Sequence, residues 1–376
     1  MPRVYRPSPF VRLLLACATA AGLSLGCGAH DDNRGPAKPP PLATVTPAPT
    51  ATVAVTAEPT ATAVATADPP PSTPPPPADP FAPPSSEIAQ ALAAIPVDPP
   101  PPKLASNTHY MISNEDRPQV FRDVAKDRGG AYVGVGSEQN WILASWARAE
   151  FMFLMDFDDW VVDINEVHGL VIQHAKTPDE VVDAWSPSRS DQMKAWIKEA
   201  TPDAAAQEKR LKVFDKGRAQ VYYRLTWLKN RPPKQQMPFF ANDQAELDHV
   251  KKLWSNKRVK IIRGDLTAGG TLKTFGDVCK KAGWTVRVLY MSNAEFYFDY
   301  AAGSFKDNLK NLPYDDKSVV LHTQPENRTD YLYVYQDAKA YLPWIAKTKN
   351  FRDLLNDSKI LSRGKFENGV WFITPP

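Results

Sequence analysis

The chain has 376 residues, with 45 Lys and Arg against 42 Asp and Glu and a formal net charge of +3. Near-balanced charge, without any Lys/Arg block interleaved with aromatics, excludes a polyanion-binding surface, and no nucleic-acid partner is expected. The 3 cysteines, Cys17, Cys27 and Cys279, are too few for a disulfide scaffold, so a folded domain here must depend on its apolar core.

The N-terminus carries Arg3, Arg6 and Arg12, then an apolar stretch from Leu13 to Leu25, then Gly26 and Cys27. This has the form of a secretory signal, too short for a membrane-spanning helix of roughly 20 residues. LSLGC at residues 23–27 resembles a lipobox, with Ser24 where Leu is commoner. Residues 1–26 therefore read as a lipoprotein signal peptide and Cys27 as the lipidated residue that anchors the protein to a membrane; the alternative is an ordinary signal with an incidental cysteine. Processing would remove Cys17 and three arginines, leaving a mature chain near zero charge with Cys279 as its one free thiol. The expected location is a bacterial cell envelope, at the outer membrane or cell surface rather than in the cytoplasm.

Residues 27–105 read as a linker. From about 35 to 103 the chain is Pro, Ala, Thr and Val, holding most of its 37 prolines. Such a composition predicts an extended, partly polyproline II tether that is disordered, with only a transient helix at Ser86–Ile95.

Residues 106–376 read as globular. Ala131–Gly136 (AYVGVG) and Phe151–Phe157 (FMFLMDF) are short, continuous apolar runs, as in strands buried on both faces of a parallel sheet. A three-turn helix over Glu138–Ala149 between them completes a βαβ unit. Val259–Arg263, Val286–Met291, Val319–His322 and Tyr331–Tyr335 are further strands, and residues 188–235 are charged and helical in pattern, a helical insertion. The fold class expected is α/β, doubly wound, with a mostly parallel sheet of Rossmann or S-adenosylmethionine-methyltransferase-like type.

Gly134 and Gly136 let backbone approach a ligand closely. Asp156 follows Gly134 by 22 positions, close to the roughly 20 expected of a ribose-binding acid; packing glycines are the alternative. The third glycine of a dinucleotide fingerprint is replaced by Gln139, Glu138 stands where a pyrophosphate would meet the helix, and no GxxxxGK[ST] loop occurs, which disfavours NAD, FAD and nucleoside triphosphates. S-adenosylmethionine has no phosphate and a positive sulfonium, so an acidic rim suits it, with Asp156 ionised as the hydroxyl acceptor.

Read together, ISNEDR (112–117), GGAYVGVGSEQN (129–140), LMDFD (154–158) and IRGDLTAGGTLKTFGDVCKKAGWTVRVLYMSNAEFYF (262–298) resemble a family of uncharacterised bacterial proteins. The family includes leptospiral surface lipoproteins with a methyltransferase-like domain, and the resemblance spans about residues 108–325. It implies the fold and an exported setting, with shared polar positions at Asn114, Glu115, Gly134, Gly136, Gln139, Asn140, Asp156, Asp265, Ser292 and Asn293. It implies no established reaction, and no methyltransferase catalytic tetrapeptide is present.

Physically, residues 136–140 after the first strand, Asp156 and Asp158 after the second, Asp265 and Thr267 after the third, and Ser292, Asn293 and Glu295 after the fourth share one sheet edge, where such folds bind ligands. Helix capping by Ser137, by Asp265 or Thr267, and by Asn293 is the competing role. No metal is expected: His168 and His174 are six apart, HExxH is absent, and the acids at 156–163 lack the EF-hand glycine and closing Glu. GxSxG is absent, and Cys279 sits in a helical pattern as a buried, inert thiol. Tyr297 and Tyr300 belong to core or rim, with stacking on a ligand ring the alternative.

Three functions remain open. The domain is an exported binding or interaction module for a small ligand or an envelope partner; or it is an enzyme using another small ligand in the same cleft; or the export signal is misread and it is a cytoplasmic S-adenosylmethionine-dependent methyltransferase.

Overall fold

The computed structural model describes residues 79–104, 107–326 and 331–376. Residues 1–26 and Cys27, read above as signal and anchor, lie outside them, as does the linker up to residue 78. Among the described residues no helix is long and apolar enough to cross a membrane.

The chain folds as a mixed α/β structure around an eight-stranded, mostly parallel sheet. The strands are β1 (Ala131–Val135), β2 (Phe151–Asp156), β3 (Val259–Arg263), β4 (Val286–Ser292), β5 (Val319–Pro325), β6 (Tyr331–Asp337), β7 (Lys365–Glu367) and β8 (Val370–Phe372). Their order is β3-β2-β1-β4-β5-β6-β8-β7, with the first five parallel and β6 antiparallel to β5. The chain steps outward from β1 to β3, then returns to the other side of β1 with β4. Connections leaving β1 and β4 therefore diverge, which opens a crevice at the carboxyl ends of the strands.

Alternation along the strands supplies two cores, because successive side chains point to opposite faces. Tyr132, Met152, Leu154 and Tyr290 face one side, where Trp141, Ile164, Phe214 and Leu247 are buried. These come from α2 (Gln139–Trp146), α3 (Asp159–His174), α6 (Ala204–Lys229) and α7 (Gln244–Ser255). Between α3 and α6 lie α4 (Pro178–Ala184) and α5 (Ser190–Ala200), so residues 188–235 are largely helical and cover this face. Val133, Phe151, Phe153 and Leu289 face the other side, against α1 (Ser86–Ala93), α8 (Thr271–Ala282), α9 (Phe305–Asn311), α10 (Ala338–Lys347) and α11 (Phe351–Asp357). Cys279 is buried in α8, and burial pushes its thiol well above the usual range.

The N-terminal boundary differs from expectation: residues 79–104 are part of the folded unit. α1 is capped by Ser85, which accepts from the Ile88 N–H, and Ile88, Leu92 and Ile95 are buried in the second core. Spacings of four and three put these residues on one stripe that α8 covers. Asn256 and Arg258 donate to the carbonyls of Phe81 and Ala82 at 2.8 and 2.6 Å. Proline bias concealed this stripe, and the helix at Ser86 is an integral element. The C-terminal strands β7 and β8 and the helices α10 and α11 went unread, their apolar runs being short.

Candidate functional site

The crevice holds a cavity of about 420 Å³, within the range of small-molecule sites. Its walls come from the strand ends predicted from sequence. Asn114, Gly136, Gln139, Asp156, Asp158, Asp265, Ser292 and Asn293 all line it, as does Thr267. Glu115, Gly134 and Asn140 lie beneath. Pro101, Lys103, Leu104, Thr108, Tyr110 and Ile112 form a wall that sequence reading missed, since no periodicity marks this stretch.

The β1–α2 turn is built from its glycines, for two different reasons. Gly136 has φ +101°, which disfavours a side chain there, while a Cβ itself would meet no atom closer than 3.8 Å. Gly134 serves packing: a Cβ there would lie 1.9 Å from Asn140 Oδ1. Asn140 fills that space, accepting from the Tyr132 hydroxyl at 2.8 Å and donating to the carbonyls of Val135 and Ser137 at 3.1 Å. From α3, Asn165 donates to the Gly136 carbonyl at 2.8 Å and takes the Trp141 indole at 3.0 Å. The turn is thus held from below and open above.

Glu115 anchors the floor. It is fully buried and accepts from Tyr290 at 2.7 Å, Ser292 at 2.8 Å, Thr323 at 2.7 Å and the Gln139 amide. Four donors, two on each oxygen, fill the acceptor capacity of an ionised carboxylate. Burial raises its pKa against these bonds. The arrangement ties β4, β5 and the β1–α2 turn to the segment before β1, and holds Ser292 at φ +49° beside a bulge in β4.

Asp156, at the end of β2, is half-buried with its carboxyl in the cavity wall. Burial, with the neighbouring Asp158 charge, raises its pKa to about 7, although N–H groups of Asp158, Gly136 and Phe157 favour the anion. Against the expectation of a fully ionised Asp156, loss of solvation disfavours the charged carboxylate here. Asp158 caps α3 and is paired with His109 at 2.8 Å, whose ring stacks on Trp160 with centroids 4.1 Å apart. Asp265 accepts from Thr267 N–H and hydroxyl at 2.7 and 2.8 Å.

Two other expectations change. Glu138 does not face the cavity; it is buried and paired with Arg224 of α6 at 3.0 Å. Its charge is therefore compensated, and the acidity of the cavity comes from Asp156, Asp158 and Asp265. The capping roles also fall elsewhere. Ser137 donates to Glu138 rather than capping α2, and neither Asp265, Thr267 nor Asn293 makes a side-chain cap. The N-terminus of α8 is capped by Asp98, which accepts from Thr271 N–H at 3.2 Å and from Asp265 N–H at 3.0 Å. Arg263 fixes the Asp98 carbonyl at 2.8 Å. Tyr300 is buried, Tyr297 lines the rim, and Glu295 turns away beneath the next turn. Among the described residues no group of three or more His, Cys, Asp or Glu is arranged to hold a metal ion.

The family described as Domain of unknown function (DUF7790) matches residues 110–368; the chain belongs to that family. No curated protein matches it.

Proposed function

We propose that the protein is an exported, lipid-anchored binding protein whose α/β domain takes a small hydroxylated ligand, uncharged or positively charged, in the cavity at the carboxyl ends of β1, β2 and β4. The observation that carries the reading is the cavity itself: about 420 Å³, at the point where strand order reverses, with Asp156, Asp158 and Asp265 in its wall and an open glycine turn beside them. Carboxylates repel phosphates and accept hydrogen bonds from hydroxyls, while Leu104, Tyr110, Ile112 and Phe298 offer apolar contact to the ligand body. Lys103 is the one Lys or Arg among the described lining residues.

A second reading is favoured by the β3-β2-β1-β4-β5 order with an acid ending β2, which suits the Rossmann-like, methyltransferase-like arrangement and S-adenosylmethionine as ligand. Thermal denaturation of the purified protein with S-adenosylmethionine, its demethylated product, nucleosides and sugars separates the readings. A ligand at 100 times its dissociation constant stabilises by about 2.7 kcal/mol. Stabilisation by S-adenosylmethionine with methyl transfer supports the enzyme; stabilisation by another hydroxylated molecule alone supports the binding protein; protection by phosphorylated ligands only defeats both. Anchoring is tested separately: Cys27→Ser should release the protein from membranes, and unchanged fractionation would remove the lipoprotein reading.

A further inference from the structure

A second cavity adjoins the first across the turn that follows β4. It measures about 310 Å³ and is lined by Glu295, Phe296, Gln324 and Arg352, together with Tyr297 and Phe298, which also wall the first. The dividing turn is clamped at both ends. Before it, Ser292 is held by Glu115; after it, Tyr300 N–H donates to the Lys349 carbonyl at 2.6 Å. The wall between the two cavities is therefore preformed.

The two cavities differ in charge. In the second, both carboxylates among the described lining residues are engaged. Glu295 is almost fully buried and accepts from Tyr300 at 2.8 Å and from Tyr341, with the His322 ring on its other oxygen. Asp299, also in the lining, accepts from Asn350 at 3.1 Å and pairs with Lys349 at 3.4 Å. Arg352 is exposed, and its guanidinium lies 5.6 Å from the centre of the Phe296 ring with no carboxylate partner among the described residues. Phe296 and Tyr297 meet edge to face at 5.4 Å and remain 44% and 51% exposed.

An uncompensated guanidinium beside a rigid, solvent-facing aromatic pair matches a ligand with an acid at one end and a flat or apolar body at the other. We propose that the second cavity binds a small carboxylate-bearing molecule, its acid on Arg352 and its body against Phe296 and Tyr297. This ligand lies next to whatever fills the first cavity, with Tyr297 touching both. The acidic cavity selects against anions and the adjoining one selects for them, so the two compartments take chemically different molecules.

Saturation-transfer NMR on the purified full chain, with benzoate and its uncharged analogue benzamide as probes, tests this. Benzoate should bind about fivefold more tightly than benzamide, the worth of one solvent-exposed charge pair. Arg352→Gln should abolish the preference, and Arg352→Lys should restore part of it. Equal binding of the two probes, a preference that survives Arg352→Gln, or no benzoate signal at about 10 mM would overturn the proposal. The reading of the first cavity is untouched by any of these results.

Discussion

Replacing Asp156 with Asn separates ligand binding from the cost of burying an acid. In the fold the carboxyl has a pKa of about 7, against 3.8 in an unperturbed chain, and burial is the main cause. A group whose pKa is raised by folding stabilises the native state fully at pH below its unfolded value, and that contribution is lost as pH rises through the folded value. The window here runs from about pH 4 to pH 7. A shift of about three units corresponds to about 4 kcal/mol at most, and partial exposure of Asp156 to solvent reduces this to about 2 kcal/mol. Asparagine keeps the shape, still accepts from the Asp158 N–H, which lies 2.9 Å from Asp156 Oδ1, and cannot ionise. The stability of Asp156→Asn relative to the parent should therefore rise between pH 4 and 7 and plateau above. At the plateau the melting temperature should gain about 5 °C. Differential scanning calorimetry of the ligand-free protein at several pH values, in buffers of matched ionic strength, reads this directly. The same variant should lose about tenfold to a hundredfold in affinity for a hydroxylated ligand, because a hydrogen bond to a charged acceptor is worth roughly 1.5–3 kcal/mol. A stability difference that is flat with pH would refute the burial argument. A ligand that binds the variant and the parent equally would refute the assignment of Asp156 to the site.

Gly136→Val forces a β-branched residue to φ +101°; it should cost about 1–3 kcal/mol in urea unfolding and abolish protection by any ligand of the first cavity. Glu115→Gln presents an amide N–H₂ to donors such as Tyr290 or Ser292, and should destabilise by about 2–3 kcal/mol while broadening the resonances of the β4–β5 strand ends. A chain beginning at residue 105 lacks the buried Ile88, Leu92 and Ile95 and the Asp98 cap, and should be less stable than one beginning at residue 79 by about 4 kcal/mol or more. Equal urea midpoints for the two chains would show that this segment contributes nothing to the core.

Local sequence determined what local physics controls. The continuous apolar runs of β1 and β2, the glycine turn between β1 and α2 and the acid at the end of β2 were legible, because buried parallel strands and a tight turn restrict residue type at adjacent positions. The helical character of residues 188–235 and the strands β3 to β6 were legible from their helical pattern and short apolar runs. Eight of the eleven ligand-binding positions read from the sequence line one cavity, since parallel strands end on a common edge. What only the tertiary structure decided depends on partners far apart in the chain. Asp98 caps a helix 173 residues later; Glu115 collects donors from three separate segments; Arg224 of α6 neutralises Glu138. Whether Gly134 served a ligand or a neighbour was settled by where Asn140 packs. The raised pKa of Asp156 follows from solvent excluded by the whole crevice. Pairings of this kind leave no periodicity in a sequence, because the chain between the partners carries no record of the distance that folding closes.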